Sequence, residues 1–302
     1  MTKDKLLPLL LNNRALNKAQ EKALEKVYKE IASMKNDARD ADDWFILGYL
    51  ELKEEHADEA LDMFDRSIEL SPEFEAAYRF RASAYAMLKD YKQAEKDATK
   101  AIELDSEYAD AYYERAFIYK SLYEWNKALA DCDKVMELEE DHLHGLLLKA
   151  KIQYDATKYD DAITSYTLVL DEESKNADAL SSRGLAYFFN NQYEEALADI
   201  KKAKVIEGAS LVFEFNIGII CCAIPERSKE AFRHLEKAFK KDGNLLLNYI
   251  SYADKKESMR LIGKLNELLA DVKKRKDENF YTRELYELLE RKLKDANEAL
   301  KS

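Results

Sequence analysis

The residue types most often recruited for chemistry are sparse in this chain. Four histidines stand at positions 56, 142, 144 and 234, and three cysteines at 132, 221 and 222. His142 and His144 follow Asp141 closely enough to offer two metal ligands, but no third ligand falls in phase, so a surface pair is expected. Cys221 and Cys222 lie in the apolar stretch LVFEFNIGIICCAI (211–224), with no cation within a turn to hold a thiolate. They read as inert buried thiols. An odd count with an adjacent pair builds no disulfide framework and points to a reducing compartment, here the cytoplasm. Acid pairs such as Glu54-Glu55 and Glu194-Glu195 are what 60 acids give by chance. No Walker loop, dinucleotide fingerprint or Ser/His/Asp order is present. Seven glycines in 302 residues leave little for a phosphate-cradling loop. The sequence therefore predicts no catalytic residue, no metal site and no cofactor.

What must be positioned is thus a surface rather than a reaction centre. The net charge is −12, and it is uneven: residues 1–40 carry +3, residues 273–302 carry +2, and residues 41–272 carry −17. An acidic body argues against nucleic acid, whose phosphates need a basic stripe. The basic run Lys273-Lys274-Arg275-Lys276 is flanked by acids and reads as a solvated connector. The start, MTKDKLLPLLLNNR, has an apolar run of only six broken by Pro8 and no small-residue cleavage site, so it reads as part of the fold. No stretch approaches the roughly 20 apolar residues of a membrane span, and the 211–224 segment, interrupted by Glu214 and Asn216, reads as a buried helix.

The strongest pattern is a period. Gly48, Ala82, Ala116, Ala150, Gly184 and Gly218 step by 34, as do Ala60, Ala94, Ala128, Ala162 and Ala196, with a slip of one to Ala231 in the sixth copy. Aromatics keep the beat at Tyr91, Trp125, Tyr159 and Tyr193. Within a copy the apolar spacing is helical: Tyr78, Ala82, Tyr85 and Leu88 form one stripe, and Ala94, Ala98, Ala101 and Ile102 another after Lys89-Asp90. Each copy is therefore two antiparallel helices of about 13 residues joined by a short turn. A small residue on each helix permits close crossing, and a single pair cannot bury its apolar faces, so neighbours must stack.

WFILGYLELKEEHADEALDMFDRSIELSPE (44–73) resembles a tetratricopeptide repeat, with Trp44, Leu47, Gly48, Ala60, Phe64 and Pro72 on that family's signature places. The resemblance covers about six repeats over 41–242. Only the first keeps Trp and Pro, the fourth has Gln153 where Tyr is usual, and the sixth carries an insertion around Pro225. It implies an all-α, right-handed superhelical solenoid of antiparallel helix pairs. It also divides the chain into N-terminal capping helices (1–40), six repeats (41–242) and C-terminal capping helices (243–302) ending in an amphipathic helix.

The resemblance further implies that leading helices line a concave face on which a peptide or protein binds. By register that lining holds Phe45 and Tyr49; Arg79 and Ser83; Tyr113, Phe117 and Lys120; Leu147, Lys151 and Tyr154; Leu185, Phe188 and Phe189; and Phe215 and Ile219. About half are expected to stay open, the rest packing between repeats. The Lys/Asn set with which one subtype grips chaperone carboxyl termini is absent: its places hold Phe45, Tyr49, Phe80, Asp110 and Glu114. A second series, Arg81, Arg115, Lys149 and Arg183, follows Glu69, Glu103, Glu137 and Asp171 by twelve residues, and each cation is expected to bridge to that acid of the preceding repeat. At the ends, Leu24, Val27, Ile31 and Met34 mark a capping helix. Leu261, Leu265, Leu268 and Val272, and then Leu285, Leu289, Leu293, Ala296 and Leu300, mark two more. The expected function is a non-catalytic binding scaffold or adaptor. Its alternatives are a co-chaperone-like adaptor without a carboxylate clamp, a homodimer joined through the last helix and, from another class, a helical-repeat regulatory phosphatase.

Overall fold

The computed structural model describes residues 2–11, 16–242, 244–252, 255–274 and 283–299. All regular elements among them are helical. Helices α1 (Lys3–Leu11) and α2 (Lys18–Ser33) come first. Six pairs follow in chain order: α3 (Ala41–Lys53) and α4 (Ala57–Leu70), α5 (Glu75–Met87) and α6 (Tyr91–Leu104), α7 (Ala109–Ser121) and α8 (Trp125–Leu138), α9 (Leu143–Asp155) and α10 (Tyr159–Glu172), α11 (Ala177–Phe189) and α12 (Tyr193–Glu207), and α13 (Leu211–Cys222) and α14 (Ser228–Lys241). The last three are α15 (Leu245–Tyr252), α16 (Lys255–Lys274) and α17 (Arg283–Ala299). The chain forms two compact units, residues 1–152 and 153–302.

In the first unit α3 packs on α4, α5 on α6 and α7 on α8, while α4 meets α5 and α6 meets α7. The expected cap is α2: Asn17 and Gln20 close a reciprocal capping box at its start, and Leu24, Val27 and Ile31 are buried, whereas Met34 lies beyond the helix and is exposed. In the second unit α10 meets α11, α11 packs on α12, α12 on α13 and α13 on α14. There α16 covers α13, and α17 rests on α15 and α16. Leu261 and Leu265 of α16 and Leu293 and Ala296 of α17 are buried, as their stripes require. Arg275, Lys276 and Leu300, and the side chains of Leu268, Val272, Leu285 and Leu289, lie outside the described residues.

The small residues act as the spacing implies. A Cβ on Gly48 would stand 2.8 Å from Phe64, one on Gly184 2.9 Å from Ile200, and one on Gly218 2.7 Å from Leu235. Turn geometry was invisible in composition. Glu55, Lys89, Tyr123, Thr157 and Asn191 recur every 34 residues, and each adopts the left-handed conformation, with φ between 59° and 67°. The amide after each reaches back five residues, as from Asp90 to the Tyr85 carbonyl (2.9 Å), while the Lys89 amide bonds Ala86 (3.0 Å). This double bond closes the leading helix and reverses the chain within three residues.

The cation series pairs differently from expectation. Arg81 forks onto Asp97 of its own repeat, Nε–Oδ2 2.7 Å and Nη2–Oδ1 2.8 Å, and its Nη1 reaches Asp65 of the preceding repeat at 2.6 Å. Arg115 repeats the fork on Asp131 and donates to Thr99, and Arg183 repeats it on Asp199 and donates to Thr167. Lys149 reaches Asp133 at 2.6 Å. Glu69, Glu103 and Glu137 instead pair locally with Arg66, Lys100 and Lys134. The reason is reach. The acids sixteen residues on, Asp97, Asp131 and Asp199, face the guanidinium across the hairpin and are buried, whereas Glu69, Glu103 and Glu137 are exposed at the far end of the trailing helix. A buried arginine needs its planar fork filled, and only a carboxylate opposite it can do so.

The 211–224 segment is the buried helix it promised to be. Its one acid, Glu214, is 2% exposed and accepts from Lys204 of α12 (2.9 Å) and from His234 and Lys237 of α14 (2.5 Å each). Burial pushes this carboxyl up, but the three donors outweigh it and hold it down at about 2.

Candidate functional site

The leading helices carry all fifteen residues of the expected lining, but they do not form one open surface. In the first unit Phe45 and Tyr49 of α3 are buried against Phe80, with ring centroids 5.3 and 5.4 Å away. Arg79 is 3% exposed. Ser83, Tyr113, Lys120, Leu147 and Lys151 are half-buried, and Phe117 is 43% exposed. In the second unit Tyr154 and Leu185 are half-buried, with Tyr154 edge-on to Tyr159 and Phe189. Phe188, Phe189, Phe215 and Ile219 are buried.

What closes part of the first unit's lining is α1, which sequence reasoning placed only as a cap. Leu6 and Leu10 are fully buried in one cluster with Phe45, Tyr49 and Phe80, and Leu7, Leu11, Phe74 and Tyr108 pack against that cluster. One end of α1 is tied to the start of α3, where Lys3 Nζ meets Asp40 (2.7 Å) and Asp43 (2.8 Å). At the other end the Tyr108 hydroxyl, at the start of α7, donates to the Leu11 carbonyl at 3.2 Å. The helix thus spans the leading edges of three consecutive repeats. The signal in the sequence was KLLPLLL itself: leucines dense enough to demand cover in a segment too short to bury them alone.

Next to this cluster stands a group of polar side chains. Arg79 stacks on Phe80, its guanidinium carbon 3.7 Å from the ring centroid, and stands 5.6 Å from that of Tyr108. Burial pushes the Tyr108 hydroxyl up to about 12, and the Arg79 charge offsets only part of that. Asp110 lies 3.5 Å from His142 Nε2, while His142 Nδ1 accepts from the Gly145 amide (2.8 Å) at the start of α9. The expected surface histidine is therefore half-buried and structural. Burial raises the Glu114 carboxyl, and a Ser83 hydrogen bond lowers it in part. Nε and Nη2 of Arg79 have no hydrogen-bond partner. A separate cleft of about 810 Å³ opens beside Arg81 on the trailing helices, but there the guanidinium is already filled by Asp65 and Asp97.

Residues 47–111 and 147–210 match the family model described as tetratricopeptide repeat, in register with the 34-residue helix pairs. Both stretches are thus matched as tetratricopeptide repeats. Solved structures share the fold. A tetratricopeptide repeat protein from Parabacteroides merdae is 19% identical, with a TM-score of 0.55 over 80% of this chain and 90% of its own. The pilF protein of Pseudomonas aeruginosa is 14% identical, with a TM-score of 0.60 over 68% and 93%. MamA from Desulfovibrio magneticus (41-end) is 17% identical, with a TM-score of 0.53 over 57% and 96%. Among curated proteins no sequence relative matches. Within these repeats, and among the described residues, no group of three or more His, Cys, Asp or Glu side chains could hold a metal, and no helix is long and apolar enough to cross a membrane. Cys132 and Cys221 are buried free thiols, both pushed up to about 12 chiefly by burial, so neither is poised as a nucleophile.

Proposed function

We propose that this chain is a non-catalytic scaffold or adaptor that binds a protein or peptide on the leading helices of its tetratricopeptide repeats. The repeats occupy 41–242, between helical ends at 1–40 and 243–302. One observation carries the reading: on α7, where Ile118 and Tyr119 are buried, Phe117 stands 43% exposed beside half-buried Tyr113 and Lys120. An aromatic anchor with adjacent polar groups is what a peptide hot spot requires. Free buried thiols support a reducing, cytoplasmic setting.

The test is affinity capture with wild-type chain, a Tyr113→Ala/Phe117→Ala/Lys151→Ala variant, and a Leu70→Ala control on an exposed trailing-helix position. Partners held by wild type and control but lost from the triple variant support the reading. A captured set indifferent to the triple variant overturns it. Light scattering on the purified chain reports whether a second copy is the partner.

A further inference from the structure

In the cation series three arginines each donate two bonds through the Nε/Nη2 edge to a carboxylate across the hairpin: Arg81 to Asp97, Arg115 to Asp131 and Arg183 to Asp199. A fourth, Arg79, is more deeply buried than any of them, yet the same edge is empty: Nε and Nη2 are sealed from solvent without a partner. A buried, unfilled guanidinium edge is costly and seldom kept in a structure without use. Its neighbours do not fill it. Asp110 is engaged by His142 and Glu114 by Ser83; the Arg79 charge favours the ionised form of both carboxyls, but neither bonds its Nε or Nη2.

Helix α1 packs in the apolar cluster that holds Phe80, the residue after Arg79, and bonds Tyr108, whose ring centroid is 5.6 Å from the guanidinium. Helix α1 supplies Leu6 and Leu10 to the cluster and a carbonyl to Tyr108, but its one acid, Asp4, is exposed. It is nine residues long with Pro8 inside, too short and interrupted to hold a helix without the surface beneath it. It is a poor ligand for a well-made groove.

We propose that the groove of α3, α5 and α7 binds a leucine-bearing helix whose carboxylate docks side-on onto Arg79, and that α1 fills the groove when that helix is absent. This rests on the binding function proposed above and names the chemistry of one part of its surface. The carboxylate belongs to a side chain or to a chain end, and the probes separate the two.

The experiment uses full-length protein and fluorescein-labelled peptides of residues 2–11: one with an amidated end, one with a free carboxylate, and one amidated and carrying Leu11→Glu. The groove is opened by Leu6→Asp/Leu10→Asp and, without touching the apolar core, by Lys3→Glu, which cuts the tie to Asp40 and Asp43. Circular dichroism identifies the variant that keeps the fold. In fluorescence anisotropy at least one acid-bearing peptide should bind an opened variant tenfold or more tighter than the amide and tenfold or more tighter than it binds wild type. Adding Arg79→Gln should abolish the preference. The peptide that shows the preference identifies the source of the carboxylate. Equal binding of all three peptides, a preference that survives Arg79→Gln, or no binding to either opened variant overturns the proposal. Partner capture that depends on Phe117 would survive that outcome, so the two readings fail separately.

Discussion

Arg81 and Asp97 face each other across the hairpin of one repeat, joined by two parallel bonds of 2.7 and 2.8 Å, with Asp97 4% exposed. The same places in the first repeat hold Leu47 and Met63. Removing one partner of a buried pair strands the other, while replacing both with apolar groups of similar volume is close to neutral. Asp97→Ala is therefore expected to cost about 3 kcal/mol, and Arg81→Leu/Asp97→Met to return within about 1 kcal/mol of wild type. Urea midpoints of the two variants check this. A double variant as weak as the single would show that the fork is not an independent module.

The left-handed turn residues offer a gain rather than a loss. A side chain in that conformation costs roughly 1 kcal/mol, which glycine avoids, less the extra freedom glycine has in the unfolded chain. Lys89→Gly, at φ 61°, should stabilise by about 0.5 kcal/mol. Asn191→Gly, at φ 67°, should do less, because asparagine tolerates the left-handed region. Melting temperatures of the pair decide it, and a larger gain at Asn191 would contradict the strain argument.

Glu214 gives the second unit an acid-sensitive joint. Its folded carboxyl titrates at about 2, below the ordinary glutamate value of 4.5. The stability it contributes is therefore present above about pH 4.5 and lost as pH falls toward 2. The shift corresponds to at most about 3 kcal/mol. Glu214→Gln should be less stable than wild type at pH 6 and lose less on acidification between pH 5 and 2.5. Parallel acid profiles for the two proteins would assign the joint elsewhere.

The fold was legible because it is written in a local code. Gly48, Ala82 and Ala60 sit where helices cross, and repetition every 34 residues fixes both the hairpin and its stacking partner. The ion pairs were legible only as a set of positions. Glu69 and Asp97 both keep the period, and spacing alone does not tell an acid twelve residues behind Arg81 from one sixteen ahead. Burial does, because Asp97 is buried and Glu69 is exposed. The turn residues escaped notice because none is glycine. The site was the least legible part, since the contact of Leu6 and Leu10 with Phe45 and Phe80 joins segments far apart in sequence and carries no period. Arg79 belonged to the expected lining, but its unfilled edge is a property of packing that no residue spacing encodes.

Each fork touches two trailing helices, one sixteen residues ahead and one sixteen behind. Such an arginine works as a caliper. Lengthening a repeat by a single residue would swing one jaw about 100° around its helix and out of reach. In the second to fifth repeats, which hold Arg81, Arg115, Lys149 and Arg183, the alanine spacing never drifts. The sixth, with Ile217 in the cation's place, is where it slips, to Ala231. A gauge of repeat length is thus built into the side chains themselves, and loop insertions are best accommodated where it is missing.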